Sequence, residues 1–473
     1  DGSWKFPKGN RWGFFPSVSA AWRISEENFF KNSSISSWFS NLKLRASYGM
    51  MGDDNLGGLY PDFAYLSGYT YYKGQSLMPD DPFSSVKSKK VIGSAPKGIP
   101  VTTISWMKIK LMNVGIDFGF FDNRLTGEFD LFKRMRDGIP GTPSDIMFPL
   151  ETGLSALPEN MNSDMTVGFD AFVKWNDKVG DLKYSVGANI TFARQKNGKR
   201  HGEIFGNAWD KYRWAQSNRW SNVVLNTDQG NAGGVWMWEV IGRFETQEQI
   251  DSYPVDQDGQ NNATVRPGDV ILRDVNGDGI INDFDERPQA YASADWPWDS
   301  STSNKNPLIS MGINLGFEWK GFDVAADFAG GFKNTFVADW DLKWGVTRSV
   351  NGYYYNNIDV WRHEDIFDPK SPWIPGKFPA LRGQESHSGR WWNSFYTREV
   401  NYLRLRNLVV GYSLPKNWIR KVGMEQCRIY FQGTNLFCLS SLHDYGFDPE
   451  ISTVNGQDYP QHKVLTLGVN VKF

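Results

Sequence analysis

Residues 310–320 read SMGINLGFEWK and alternate between apolar side chains and small or polar ones. The apolar set is Met311, Ile313, Leu315, Phe317 and Trp319. Successive side chains of a β-strand point to opposite faces, so a period of two predicts a strand with one apolar and one polar face. The stretch therefore indicates a sheet with one face in an apolar environment and the other in a polar one.

The same alternation recurs along the whole chain, whereas helical periodicity is nearly absent. We therefore predict an all-β protein. Its predicted strands are residues 12–24, 42–49, 110–120, 124–134, 165–175, 182–193, 308–319, 322–332, 400–412, 427–437 and 462–473. Residues 59–72 and 235–244 are expected to add two or three more, which gives about 11–14 strands.

The connections between these strands alternate strictly in length. Five short connections alternate with five long segments. The short ones are tight links at 122–123, 176–181 and 320–321 and somewhat longer ones at 25–41 and 415–426. These long segments are 52–108, 135–163, 194–306, 334–397 and 438–461. Compact soluble domains rarely tolerate so many long loops. The rhythm is typical of a transmembrane antiparallel β-barrel with short periplasmic turns and long extracellular loops.

Membrane insertion through strands also suits the charges and the apolar runs. No run reaches the roughly 18 apolar residues of a spanning helix. Charges of both signs lie on the polar strand faces, and a lipid-facing charge costs about 2–4 kcal/mol near the midplane. We expect these charges to line a wet lumen. The first strand has an open edge, so the closing strands are expected from outside residues 1–473.

Neither an enzyme nor a nucleic-acid-binding protein is indicated. The chain has 473 residues and a formal net charge of −2, with no basic patch that would attract nucleic acid. Its five His residues form no metal-ligand spacing, and no nucleophile elbow is present. We predict no catalytic residues.

One motif predicts a metal site. Residues 274–285 read DVNGDGIINDFD and fit a twelve-residue calcium loop, with Gly279 at the sharp turn. Calcium prefers six to eight oxygen ligands, which side-chain oxygens and one backbone carbonyl supply here. The predicted ligands are Asp274, Asn276, Asp278, Ile280 (through its carbonyl), Asn282 and Asp285.

Calcium at this loop is expected to be structural and to clamp the long extracellular insertion 194–306. The last position carries Asp285 instead of the usual Glu, and the shorter side chain weakens the site or narrows its geometry. The alternative is a solvated Asp/Asn/Gly turn, which is common in loops.

Aromatic residues are abundant at 15% of the chain, with 21 Trp. An aromatic face stacked on a sugar ring is a common means of holding a neutral polyol. Two pairs in polar loops are the substrate-binding candidates: Trp296, Trp298, Trp391 and Trp392. Membrane-girdle positions, loop packing and contact with a lid protein are the alternatives.

Several motifs resemble the SusC/RagA family of TonB-dependent transporters. They occur in the family's order and span nearly the whole chain: residues 1–27, 42–49, 119–125, 267–269, 274–285, 402–408, 433–437 and 447–450, and the terminal Phe473. The resemblance implies a barrel of 22 strands with an N-terminal plug, of which this chain is the C-terminal portion and lacks the plug.

The resemblance further implies nutrient import at the bacterial outer membrane, with extracellular loops and a periplasmic C-terminus. Its implied partners are a SusD-like surface lipoprotein, the TonB–ExbB–ExbD complex acting through the N-terminal region, outer-membrane lipid and an oligosaccharide cargo. Oligopeptide cargo is the first alternative. The second is a soluble calcium-binding protein, lectin-like or carbohydrate-active.

Overall fold

The computed structural model covers all 473 residues, and most of them can be described. The described residues are 1–55, 63–78, 89–96, 99–141, 143, 149, 156–197, 208, 235–290, 307–337, 359–380, 393–443, 447–450, 459 and 461–473.

One antiparallel sheet of eleven strands dominates this part of the chain. In chain order its strands are β1 Ser17–Arg23, β2 Phe39–Asp53, β5 Met107–Phe120, β6 Leu125–Gly141, β7 Glu159–Val179, β8 Leu182–Asn197, β13 Ile309–Trp319, β14 Phe322–Val337, β17 Thr397–Ser413, β18 Gln426–Ser440 and β19 Val464–Lys472. Each strand pairs with the next one of the set, so the sheet is a meander with β1 and β19 at its ends. All eleven predicted strands are confirmed.

The other strands in the described parts of the chain lie outside the main sheet. They form four two-stranded sheets: β3 Tyr69–Met78 with β4 Lys89–Pro96, β9 Val235–Met237 with β12 Arg287–Ala290, β10 Val240–Arg243 with β11 Val270–Leu272, and β15 Arg362–His363 with β16 Trp373–Ile374. The segments 59–72 and 235–244 therefore do not extend the meander, because their strand residues pair locally within the long connections. Among the described residues the helices are single turns or little more, and the longest, Gln247–Asp251, has five residues.

The strands of the main sheet are longer than the alternation predicts. β7 has 21 residues and β6 has 17, so both continue well past the apolar part of the pattern. Ion pairs between strands occur in these extensions, including Lys110–Asp137 at 2.6 Å and Arg136–Asp164. Sequence periodicity missed the extensions because charged cross-strand pairs, not alternating apolar residues, stabilise them.

All short connections lie at one end of the meander and all long ones at the other, as the neighbouring antiparallel order requires. The short end has tight turns such as Lys320-Gly321, where both residues have positive φ. At the long end, Phe6 is fully buried in a cluster with Val101, Ile104 and Met107, the last of which begins β5. A second apolar region lies within the residues between β8 and β13.

Candidate functional site

The two faces of the main sheet differ as the alternation predicts. Leu315 and Phe317 are 40% and 43% exposed on one face. On the other face, Asn314 donates a hydrogen bond to Asp327 across the strand pair at 2.7 Å. We call these the apolar face and the polar face of the sheet.

Ion pairs cover the polar face between several strands. Arg45 on β2 contacts Asp117 on β5 at 2.7 Å and Asp130 on β6 at 2.6 Å. On the same face, near the other edge of the sheet, Arg428 on β18 pairs with Asp323 on β14. These residues occupy the face opposite the exposed apolar side chains, which is the placement expected of lumen-lining charges.

A buried ionic cluster lies on the polar face of β17. Arg404 is only 4% exposed and contacts Asp448 at 2.6 Å and Glu450 at 3.0 Å. Arg406 contacts Glu450 at 2.5 Å and donates a hydrogen bond to Gln461 at 3.1 Å. The sequence shows both arginines on one strand face, but it cannot show that residues more than forty positions later supply their counter-charges.

The predicted calcium loop is folded into a closed ring. Asp285 is fully buried, and its Oδ1 accepts a hydrogen bond from the Val275 amide at 2.8 Å. Its Oδ2 accepts one from the Asn282 amide at 2.9 Å. The last residue of the loop thereby holds its beginning, ten positions earlier.

The first and fifth positions of the loop are also bound to backbone amides. Asp274 accepts hydrogen bonds from the Gly277 amide at 2.6 Å and from the Gly279 amide at 2.8 Å. Gly279 has φ +81°, a conformation that glycine adopts without strain. Asp278 accepts one from the Ile280 amide at 2.9 Å, and this bond holds the pKa of Asp278 below its ordinary value.

The donor chemistry of the loop suits calcium, since all six predicted positions offer oxygen atoms. In the described part of the chain, however, no three His, Cys, Asp or Glu side chains are grouped closely enough to hold a metal ion. The backbone amides bond to the carboxylates of Asp274, Asp278 and Asp285 instead. The calcium site stays a prediction.

A second acidic turn, residues 256–264, lies beside this loop. The Asp256 amide donates to the Gly279 carbonyl, and the Ile281 amide donates to the Asp256 carbonyl, both at 2.9 Å. Asp258 closes the turn by accepting hydrogen bonds from the Gln260 amide at 2.8 Å and the Thr264 amide at 2.7 Å. Sequence reasoning missed this pairing, although the Asp-x-Asp-Gly spacing at 256–259 was a signal.

Both turns belong to a unit built from two long connections, which we call the paired-loop module (residues 235–290 and 359–380). Two apolar clusters give it a core, one around Phe244 and one around Leu272. Arg243 donates to the Gly376 carbonyl at 2.8 Å and so joins the two connections. The module also contacts the residues just before β17, where the Ser394 amide donates to the Trp238 carbonyl.

The four tryptophans predicted to bind substrate, Trp296, Trp298, Trp391 and Trp392, lie outside the described residues. Their proposed role is therefore untested.

Comparison with curated proteins finds relatives over the full chain. It is 25% identical over 485 residues to the TonB-dependent receptor SusC of Bacteroides thetaiotaomicron, and 23% identical over 526 residues to the TonB-dependent receptor P39 of Formosa agariphila. No protein-family model matches the chain.

Comparison with solved structures finds proteins of similar fold. A structure of the RagAB peptide transporter aligns with 100% of the chain at a TM-score of 0.66 and 20% identity. The open-open state of the RagAB peptide importer aligns with 99% at a TM-score of 0.67. The chain is SusC/RagA-like.

The eleven-stranded meander of this SusC/RagA-like chain thus has the fold of part of the β-barrel in these structures, and the predicted fold class is confirmed. The chain spans 41% of the SusC receptor and 44% of the P39 receptor. The relatives are receptors and transporters, which agrees with the prediction that the chain is not an enzyme. Among the described residues, no helix is long and apolar enough to cross a membrane.

Proposed function

We propose that the SusC/RagA-like chain forms wall and mouth of an outer-membrane, TonB-dependent importer of oligosaccharides. The observation that carries the proposal is the two-faced sheet, in which exposed apolar residues cover one face and ion pairs cover the other. A lipid-facing charge costs about 2–4 kcal/mol near the membrane midplane, so this division suits a wall between lipid and water. Both signs of charge on the polar face suit a polar, neutral or zwitterionic cargo.

The orientation follows from the connections. In outer-membrane barrels the short turns are periplasmic and the long loops extracellular. The insertion 194–306 and the paired-loop module would then stand on the extracellular side, and the C-terminal Phe473 on the periplasmic side.

A SusD-like surface lipoprotein and the TonB–ExbB–ExbD complex are the proposed partners. The lipoprotein would close over the extracellular mouth, and TonB would deliver energy through the plug region of the complete receptor. The similarity to SusC supports this assignment.

An oligopeptide is the second candidate cargo. It is favoured by the likeness to RagAB, which is described as a peptide transporter. In either case we propose that Trp296, Trp298, Trp391 and Trp392 contact the cargo, because aromatic faces stack on sugar rings and on apolar peptide side chains alike.

Partition of the protein tests the membrane wall. The complete receptor should require detergent for extraction and should migrate differently on gels after heating. Leu315→Arg, on the apolar face, should lower barrel stability by about 2–4 kcal/mol, whereas Asn314→Arg, on the polar face beside Asp327, should be tolerated. A monodisperse soluble protein without detergent would favour the lectin-like alternative and refute the barrel.

Uptake tests the cargo. Cells that express the complete receptor with its lipoprotein would be supplied separately with labelled oligosaccharides and labelled oligopeptides, and a strain lacking TonB serves as the control. TonB-dependent uptake of oligosaccharides alone supports the proposal. Uptake of peptides alone would replace it with the second candidate.

We also propose that loop 274–285 binds calcium as a structural ion. Calcium titration followed by limited proteolysis of the insertion should show protection that a chelator removes. Asp278→Ala should abolish the protection. Asp283→Ala is the matched control, because Asp283 lies in the same loop but at none of the ligand positions. A rate of proteolysis that calcium, chelator and Asp278→Ala all leave unchanged would refute the site.

A further inference from the structure

The segment Phe447–Glu450, which follows β18, is held against β17 by two layers of different chemistry. The first layer is apolar. Phe447 stacks on Phe336 with ring centroids 5.6 Å apart, and it packs against a buried cluster that includes Val400 and Leu442. This layer anchors the beginning of the segment.

The second layer is ionic and anchors the end of the segment. Asp448 and Glu450 are about nine-tenths buried, and both contact the buried Arg404. Glu450 also reaches Arg406, whose side chain is 39% exposed. The Asp448 carboxylate additionally accepts a hydrogen bond from the Glu450 amide at 3.0 Å, which fixes the turn between them.

The two layers respond differently to displacement. Apolar packing depends on buried area and tolerates small shifts of the segment. Buried ion pairs gain little net stability over apolar groups, but they depend steeply on geometry, and an unpaired buried charge is strongly unfavourable. The ionic layer also has a wet side at Arg406, where water can solvate a guanidinium as its partner leaves.

We propose that the ionic layer is a latch and the apolar layer its hinge. With the latch closed, Asp448 and Glu450 hold the end of the segment on the lumen-facing side of β17. When the pairs open, this end leaves β17 while Phe447 stays on Phe336 and Leu442. The inference rests on the proposed function for the direction of the lumen, and on that basis the latch sets the position of residues 447–450 relative to the inner wall of the barrel.

Hydrogen exchange of the complete receptor in detergent tests the latch without any transport assay. The double variant Asp448→Asn/Glu450→Gln keeps the side-chain shapes but leaves two guanidinium groups without counter-charges. The Asp448 and Glu450 amides should exchange about 100-fold faster, whereas those of Phe447 and Ser440–Leu442 should change less than about threefold. Glu318→Gln, which breaks the exposed pair with Lys183, is the control and should change neither.

Two results would overturn the latch. Both sets of amides accelerating together would show one cooperative unit without a hinge, and an unchanged rate at Asp448 and Glu450 would show that the ion pairs hold nothing. Arg406→Gln provides a milder variant if the double variant does not fold. It removes the exposed arm alone and should accelerate exchange about tenfold at the Asp448 and Glu450 amides only. Heat-dependent gel migration identifies folded barrels in each sample.

Discussion

Gly268→Ala should open the paired-loop module selectively. Gly268 has φ +90°, and a Cβ added there would lie 2.3 Å from Cγ of Trp361, a residue 93 positions later in the second connection. Trp361 is buried, and its amide is tied to the Phe378 carbonyl at 2.9 Å, so the ring has little freedom to move away. Gly259, with φ +72° and no atom within 4 Å of an added Cβ, is the matched control.

The difference between the two variants isolates the contact with Trp361. Left-handed backbone costs an alanine about 1–2 kcal/mol relative to glycine, and both variants incur it. Overpacking adds about 1–3 kcal/mol in Gly268→Ala alone. We therefore expect a loss of about 2–5 kcal/mol for Gly268→Ala and about 1–2 kcal/mol for Gly259→Ala.

Hydrogen exchange of the complete receptor measures these losses locally. Gly268→Ala should accelerate exchange in residues 235–290 and also in residues 359–380, because the two connections share this contact. Gly259→Ala should act only near its own turn. Replacing Trp361 by Ala as well should remove most of the penalty specific to Gly268→Ala.

Equal effects of Gly268→Ala and Gly259→Ala would refute the reasoning. So would acceleration confined to residues 235–290, since it would mean that the two connections are not one unit. A variant that no longer forms the barrel is identified by its loss of heat-dependent gel migration and is set aside.

Two further predictions concern charges. Asp164→Asn should lower barrel stability in urea by about 1–3 kcal/mol, since the carboxylate is 4% exposed and paired with the partly exposed Arg136. Glu318→Gln, which breaks an exposed pair, should cost at most about 1 kcal/mol. Equal losses of stability in the two variants would contradict the role of burial. The Ser3 hydroxyl donates a hydrogen bond to Asp54 Oδ2 at 2.7 Å and holds the pKa of Asp54 below its ordinary 3.8. The contact therefore stabilises the folded state above that pH, and this stabilisation is lost as the pH falls through the lowered pKa. The protection of residues 1–15 from hydrogen exchange, relative to the intrinsic rate at each pH, should therefore fall on acidification, and Ser3→Ala should remove this part of the response. An identical loss of protection in Ser3→Ala would contradict it.

The strands were predictable because their signal is local. Alternation along residues 310–320 fixes which side chains share a face, whatever the partner strand. The short connections then predict which strands are neighbours, because two strands joined by a two-residue link can only pair with each other at that end. The spacing of the calcium-type loop is visible for the same reason, since it is contained in twelve consecutive positions, and the binding of calcium there stays a prediction.

The amino-acid sequence by itself therefore determined the strands, their order and the division between apolar and polar faces. Only the tertiary structure decided which distant groups meet: Asp448 and Glu450 at Arg404, Trp361 at Gly268, and the carboxylates of loop 274–285 at its own backbone amides. Such contacts depend on how the long connections fold back, and no periodic pattern constrains that path. A charged residue in a sequence requires a partner, but only the folded chain determines which partner comes within reach.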